Sequence, residues 1–192
     1  MVQETTSKTP NLDINIQNVV ASSTLDQKID LLAIMKNFRN VEYRPKQFPG
    51  LVFRLRRPKT ATLIFSSGKM VCTGAKSEKV ARNAVKKVVR ELKNNGILIL
   101  NKPKTVIQNM VASADLHHKI DLETAADLLD NVMYEPEQFP GLIYRMADPK
   151  TVLLLFASGK LVCTGGKSEE MVNESVNKVY EILDDYDLFY QE

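Results

Sequence analysis

The sequence predicts a duplicated α+β fold built on an antiparallel sheet, and three observations carry that prediction. The chain repeats itself without a gap at an offset of 91 residues: aligning 16–92 with 107–183 gives 40 identities in 77 positions, which makes the halves copies of one fold rather than neighbours of similar composition. Each copy holds five short runs with strand alternation or β-branched composition, separated by Pro-Gly and Ser-Gly. Each copy also holds two stretches of helical spacing that begin after a capping residue.

In the first copy, residues 13–22 alternate and are rich in Val and Ile, so they predict a strand. Asp30 predicts a helix N-cap before Leu31, Ile34, Met35 and Phe38. Residues 41–44, 51–56, 60–66 and 69–75 predict four short strands. Ser77 predicts the cap of a long helix whose Val80, Ala84, Val88 and Leu92 face inward, with Ala81, Val85 and Val89 beside them. The second copy has Asp121 and Ser168 as its caps. Short connections between strands require antiparallel pairing. The expected division is a flexible tail (1–11), a first repeat (12–98), a linker (99–104) and a second repeat (105–190).

Composition removes several classes of function. Two cysteines in 192 residues exclude a disulfide scaffold and point to an intracellular protein. The longest apolar runs, such as 151–157, are too short for a bilayer span, so no membrane partner is expected. No Ser-His-Asp set, paired catalytic carboxylates or dinucleotide fingerprint is visible, which argues against an enzyme, and no cofactor is expected. Gly166-Lys167-Ser168 lacks the glycine five residues earlier that a phosphate loop needs, because position 161 is Leu. Cys72 and Cys163 have no partners at metal-ligand spacing and are expected in the core. His117-His118 is expected in an exposed turn.

The net charge of +3 conceals a split. Residues 1–104 hold 20 Lys+Arg and 7 Asp+Glu (+13), whereas residues 105–192 hold 6 and 16 (−10). One half is suited to a polyanion and the other to a basic partner.

Alternation then exposes an uncovered surface. Ala61, Leu63 and Phe65 point to one side of their strand, and Thr62 and Ile64 to the other; Val152, Leu154 and Phe156 oppose Leu153 and Leu155. Val71 and Thr73 share a face, with Met70, Cys72 and Gly74 opposite, and Ile16, Asn18 and Val20 share another. Both faces are apolar, four helices can cover only one, and an uncovered apolar face marks a binding surface. Its uncharged polar groups are Asn18, Asn109, Thr73 and Thr164, and cations gather at strand ends: Arg54, Arg56, Lys59, Lys69 and Lys76, then Arg145, Lys150, Lys160 and Lys167. The minor groove of A·T-rich DNA suits this set, since it offers only acceptors to Asn and Thr, sugar and base edges to Val and Leu, and phosphates to the rim. Phe48 with Phe65, and Phe139 with Phe156, are candidate wedges between base steps.

The duplicated pattern QN-(V/M)-VAS, QFPGL, PKT, F-(S/A)-SGK-(M/L)-VCTG-(A/G)-KSE resembles the conserved core of the TATA-box-binding protein family over about residues 12–190. That family is itself a standard case of minor-groove binding by apolar wedges. The resemblance implies a pseudo-two-fold saddle, a ten-stranded antiparallel curved sheet with four helices on its convex face. It implies that Asn18 and Asn109 read the centre of the site. Val20, Val71, Val111 and Val162 would contact bases, with Thr73 and Thr164 beside them. Leu63 and Leu154 would support the four phenylalanines, and Arg54, Ser67, Lys69, Arg145, Ser158 and Lys160 would meet the backbone. The acidic loop Tyr134-Glu135-Pro136-Glu137 would dock transcription factor B through Glu135 and Glu137, leading to the RNA polymerase pre-initiation complex.

The first loop, Tyr43-Arg44-Pro45-Lys46, is basic and departs from the acids common in archaeal relatives. The acidic end of the chain and the absence of a long low-complexity N-terminal region resemble the archaeal form, hence a cytoplasmic, nucleoid-associated protein; a eukaryotic core would be nuclear. Two other readings compete: a non-catalytic domain like that of some DNA glycosylases, and a protein-only module that uses its apolar face to form a homodimer when free of DNA.

Overall fold

The computed structural model describes residues 10–191, so the expected tail, 1–11, lies outside the described residues except for its last two. The elements in chain order are β1 (Asp13–Thr24), α1 (Leu31–Asn37), β2 (Val41–Tyr43), β3 (Leu51–Arg56), β4 (Lys59–Ile64), β5 (Lys69–Ala75) and α2 (Glu78–Asn94). Then follow β6 (Lys104–Asp115), α3 (Leu122–Leu128), β7 (Val132–Met133), β8 (Leu142–Met146), β9 (Thr151–Leu155), β10 (Lys160–Gly166) and α4 (Glu169–Asp185). The ten strands run in the order β2-β3-β4-β5-β1-β6-β10-β9-β8-β7. Contacts divide the chain into two units, Ile16–Met110 and Val111 onward with the residues up to Asn15, and the divisions fall inside the long strands β1 and β6.

In the Ile16–Met110 unit the pairings β2·β3, β3·β4, β4·β5 and β5·β1 are antiparallel, as the short connections require. The other unit pairs β7·β8, β8·β9 and β9·β10 in the same way. All four helices start at the residues that composition marks. Asp30 accepts from the Leu32 and Ala33 N–H groups, Ser77 from Val80, Asp121 from Thr124 and Ser168 from Met171. These bonds satisfy amide donors that a helix start leaves unpaired. The backbone and hydroxyl of Thr124 hold the Asp121 carboxyl below the usual carboxylate range.

In each unit the core lies between the helices and one face of the strands. Ala81, Ala84, Val85, Val88, Val89 and Leu92 of α2 are buried, as are Phe53, Ile64, Met70 and Cys72 on the strands. Each large aliphatic side chain so buried contributes roughly 1.5–3 kcal/mol. In the other unit Val172, Val176, Val179 and Leu183 of α4 do the same with Leu153, Leu155, Leu161 and Cys163. There Ser175 replaces Ala84, and its buried hydroxyl accepts from Thr151 at 2.9 Å and donates to the Met171 carbonyl at 2.9 Å. Both cysteines are free and buried, and burial pushes the Cys163 thiol up to about 11.

Four expectations need correction. Val80 is only half-buried, because α2 turns its Ala81–Val85–Val89 flank into the core as well. Met35 is 42% exposed; α1 ends at Asn37, and Phe38 caps it with its ring edge-on to Phe53 at 5.1 Å. The strand expected at 60–66 ends at Ile64, because the Gly68 N–H donates to the Phe65 carbonyl and closes a turn. Gly74 does not join Met70 and Cys72 inside. The β1·β5 register slips from Val19↔Ala75 to Ala21↔Cys72, so Gly74 sits at φ +97° in the open and Ala75 takes the buried place. His118 lies in an exposed turn as expected, yet its ring also packs against Phe189 at 5.2 Å and Tyr180 at 6.4 Å. No helix among the described residues is long and apolar enough to cross a membrane.

Candidate nucleic-acid interface

With one sheet face under the helices, the alternate residues of every strand remain half-exposed. In the Ile16–Met110 unit the register sets out two rows. Val52 faces Leu63, Leu63 faces Val71, and Val71 faces Ser22. One step along, Arg54 faces Ala61 and Ala61 faces Thr73. The same rows recur in the other unit as Ile143–Leu154–Val162 and Arg145–Val152–Thr164. All of these residues except the exposed arginines are half-buried, as are Val20 and Val111. Val52 and Ile143 are face members that the sequence reading did not single out, although the alternation from Arg54 and Arg145 contains them.

Asn18 joins the second row. The Gly74 N–H donates to its side chain at 2.7 Å, and since an N–H can only donate, the accepting atom is the amide oxygen. The bulge at Gly74 is what frees that N–H from the ladder. Asn18 Nδ2 then donates to Thr73 Oγ1 at 3.1 Å, and the Thr73 hydroxyl lies 3.3 Å from Asn18 Oδ1. With its oxygen accepting from Gly74, the side chain has its N–H groups left to donate, and one of them goes to Thr73. Asn109 and Thr164, their sequence counterparts, are both half-buried.

Two phenylalanine pairs share one geometry. Phe48 is 42% exposed, its ring edge-on to Phe65 with centroids 5.9 Å apart and planes at 71°. Phe139 is 37% exposed and meets Phe156 at 5.9 Å and 70°. Turns fix the first ring of each pair: the Phe48 N–H donates to the Arg44 carbonyl at 2.9 Å, and the Phe139 N–H to the Glu135 carbonyl at 3.0 Å. The glycine that follows packs closely against both rings. A Cβ on Gly50 would lie 2.6 Å from Phe48 Cε1 and 3.1 Å from Phe65 Cε1; on Gly141 the same distances are 2.7 and 3.1 Å to Phe139 and Phe156. Aromatic rings left half in water beside an apolar face await a partner.

Exposed cations and hydroxyls surround these surfaces. Arg54, Ser67 and Lys69 are exposed in one unit, and Arg145, Ser158 and Lys160 in the other. Ser67 Oγ accepts from the Lys69 N–H, and Ser158 Oγ from the Lys160 N–H, both at 3.4 Å. Beyond Arg54 a groove of about 1230 Å³ carries Arg56, Arg57, Lys59 and Lys87 as well as Thr73. Glu135 and Glu137 stand exposed on the turn that carries Phe139. Among the described residues no group of three or more His, Cys, Asp or Glu could hold a metal ion.

The chain matches the family model described as "Transcription factor TFIID (or TATA-binding protein, TBP)" twice, over residues 13–95 and 104–186. It is 59% identical over 174 residues to a TATA-box-binding protein of Pyrodictium occultum, covering 91% of this chain and 87% of that one. Against a TATA-box-binding protein of Sulfurisphaera tokodaii the identity is 56% over 174 residues, with 91% and 88% covered. A solved structure, Methanococcus jannaschii TBP, superposes with a TM-score of 0.83 at 49% identity, covering 90% of this chain and 99% of that one.

Proposed function

The chain belongs to the TATA-box-binding protein family, a general transcription initiation factor and not an enzyme, and from that premise we propose that its half-exposed sheet face binds the minor groove of TATA-box DNA and kinks it. The observation that carries the proposal is the pair of matching phenylalanine arrangements, each with its first ring set by a hydrogen-bonded turn and packed against a glycine where a Cβ would press on both rings. Phe48 with Phe65, and Phe139 with Phe156, part base steps while Leu63 and Leu154 back them. Val20, Val71, Val111 and Val162 press on sugars and base edges. Asn18, Thr73, Asn109 and Thr164 meet the acceptors adenine N3 and thymine O2. Arg54, Ser67, Lys69, Arg145, Ser158 and Lys160 fix the register on phosphates and carry no sequence information.

On this reading repeats 12–98 and 105–190, joined by 99–104, each meet the duplex through one phenylalanine pair. Phe139→Ala with Phe156→Ala should remove one of the two kinks and so reduce bending, read by end-to-end energy transfer on a doubly labelled TATA duplex. Unchanged transfer in the bound complex would refute the wedge roles.

Glu135 and Glu137 dock transcription factor B, which brings RNA polymerase. Their turn is closed by backbone bonds, so side-chain reversal leaves Phe139 in place. Glu135→Arg with Glu137→Arg should therefore retain DNA binding and lose the further mobility shift on adding factor B. A variant that loses both would show that the carboxylates support the wedge instead.

A further inference from the structure

Beside each phenylalanine pair lies a groove, and the two grooves are built from matched residues. One, of about 710 Å³, is lined by Ser22, Ser23, Thr24, Phe65, Ser67, Lys69, Val71, Lys104 and Val106. The other, of about 520 Å³, is lined by Ser113, Ala114, Asp115, Phe156, Ser158, Lys160, Val162, Asp13 and Asn15. The offset of 91 residues relates them position by position, so Lys104 corresponds to Asp13 and Thr24 to Asp115. Ring geometry is the same in both, whereas volume and lining charge differ. The first groove has two cations in its lining and no acid; the second has one cation and two acids.

The neighbouring turn reverses too. Lys104 Nζ lies 2.6 Å from Asp26 Oδ2, a contact that holds the ammonium at the groove edge and raises the lysine while it lowers the carboxyl. The counterpart of Asp26 is His117, whose N–H donates to Asp115 Oδ1 at 2.9 Å and whose Nδ1 lies 3.8 Å from the same oxygen.

Resting on the DNA-binding reading above, we propose that this reversal makes the two grips on the duplex unequal. Lys104 joins Lys69 in holding phosphates beside Phe65, whereas Asp13 and Asp115 repel the backbone beside Phe156. The Phe156 wedge is then seated for a smaller fraction of the time, and its end of the complex opens first. Repulsion of this kind acts over several ångströms and is screened by salt.

The test measures affinity for a fixed TATA duplex by mobility shift. Asp13→Asn with Asp115→Asn should tighten binding about fivefold at 0.05 M salt, with the gain vanishing near 0.5 M. Lys104→Gln should weaken binding at low salt. Phe65→Ala should cost at least about threefold more affinity than Phe156→Ala in the native background, and the two costs should converge when Asp13 and Asp115 are neutralised. Glu181→Gln with Asp184→Asn, the same charge change on the exposed side of α4, should leave affinity unchanged. Equal costs for the two phenylalanines, or the same gain from the α4 control, would overturn the inference. A native protein that failed to prefer A·T-rich over G·C-rich duplex would refute the underlying reading instead.

Discussion

Asn18 shows how a single side chain acquires a direction. Its oxygen is taken by the Gly74 N–H, 56 residues away in sequence, and its nitrogen is left to donate. Asn18→Asp keeps the shape and the acceptor for Gly74 but removes the N–H groups. We expect it to lower affinity for A·T-rich duplex at least about tenfold, in line with about 1–3 kcal/mol for a good base contact. Mobility shift would measure this, with a thermal melt alongside. A lower melting temperature with retained affinity would assign Asn18 a structural role only. The sequence places Asn18 on the right face, because alternation with Val20 does so. It does not reveal what aims the amide, since a bulge depends on the register of a distant strand. The phenylalanines were similarly half legible. Projection before Pro-Gly could be read from the sequence, whereas the 2.6 Å between a Cβ at Gly50 and the Phe48 ring could not.

Among the elements, the helix starts were the most legible, because capping is local: four capping residues read from composition accept the expected backbone bonds. Ser77→Ala and Ser168→Ala should each cost about 1 kcal/mol, or roughly 2–4 °C in thermal midpoint by calorimetry. A change within error for both would mean that water replaces the hydroxyl without cost. Helix ends and inner faces were less legible. Met35 has the right spacing for burial, but α1 turns its Leu31–Ile34 edge inward and leaves Met35, one residue further round the helix, 42% exposed. Strand ends were blurred for a related reason: Phe65 continues the alternation of β4 in sequence, while its backbone already belongs to the turn closed by Gly68. The thiols follow burial. The unfolded thiol ionises before the folded Cys163, which titrates at about 11, so stability falls as pH rises from about 9 towards 11.

At the scale of the whole molecule, duplication gives two copies of one half-exposed sheet face, and divergence gives them different charges. The +13 and −10 balances of the two stretches of sequence are too coarse to show where the difference acts. The structure localises part of it: Lys104 and Asp13 occupy equivalent places beside equivalent rings. Composition alone could not pair those residues, since Asp13 and Lys104 lie before the conspicuous repeat motifs. If the uncovered sheet face reads the minor groove, inosine·cytosine substitution should leave binding in place. An I·C pair presents the minor-groove acceptors of A·T but the major-groove pattern of G·C. A TATA element with every pair replaced by I·C should bind within a few fold of the native duplex, whereas the corresponding G·C element should not bind specifically. Loss of specific binding to the I·C duplex would contradict minor-groove reading.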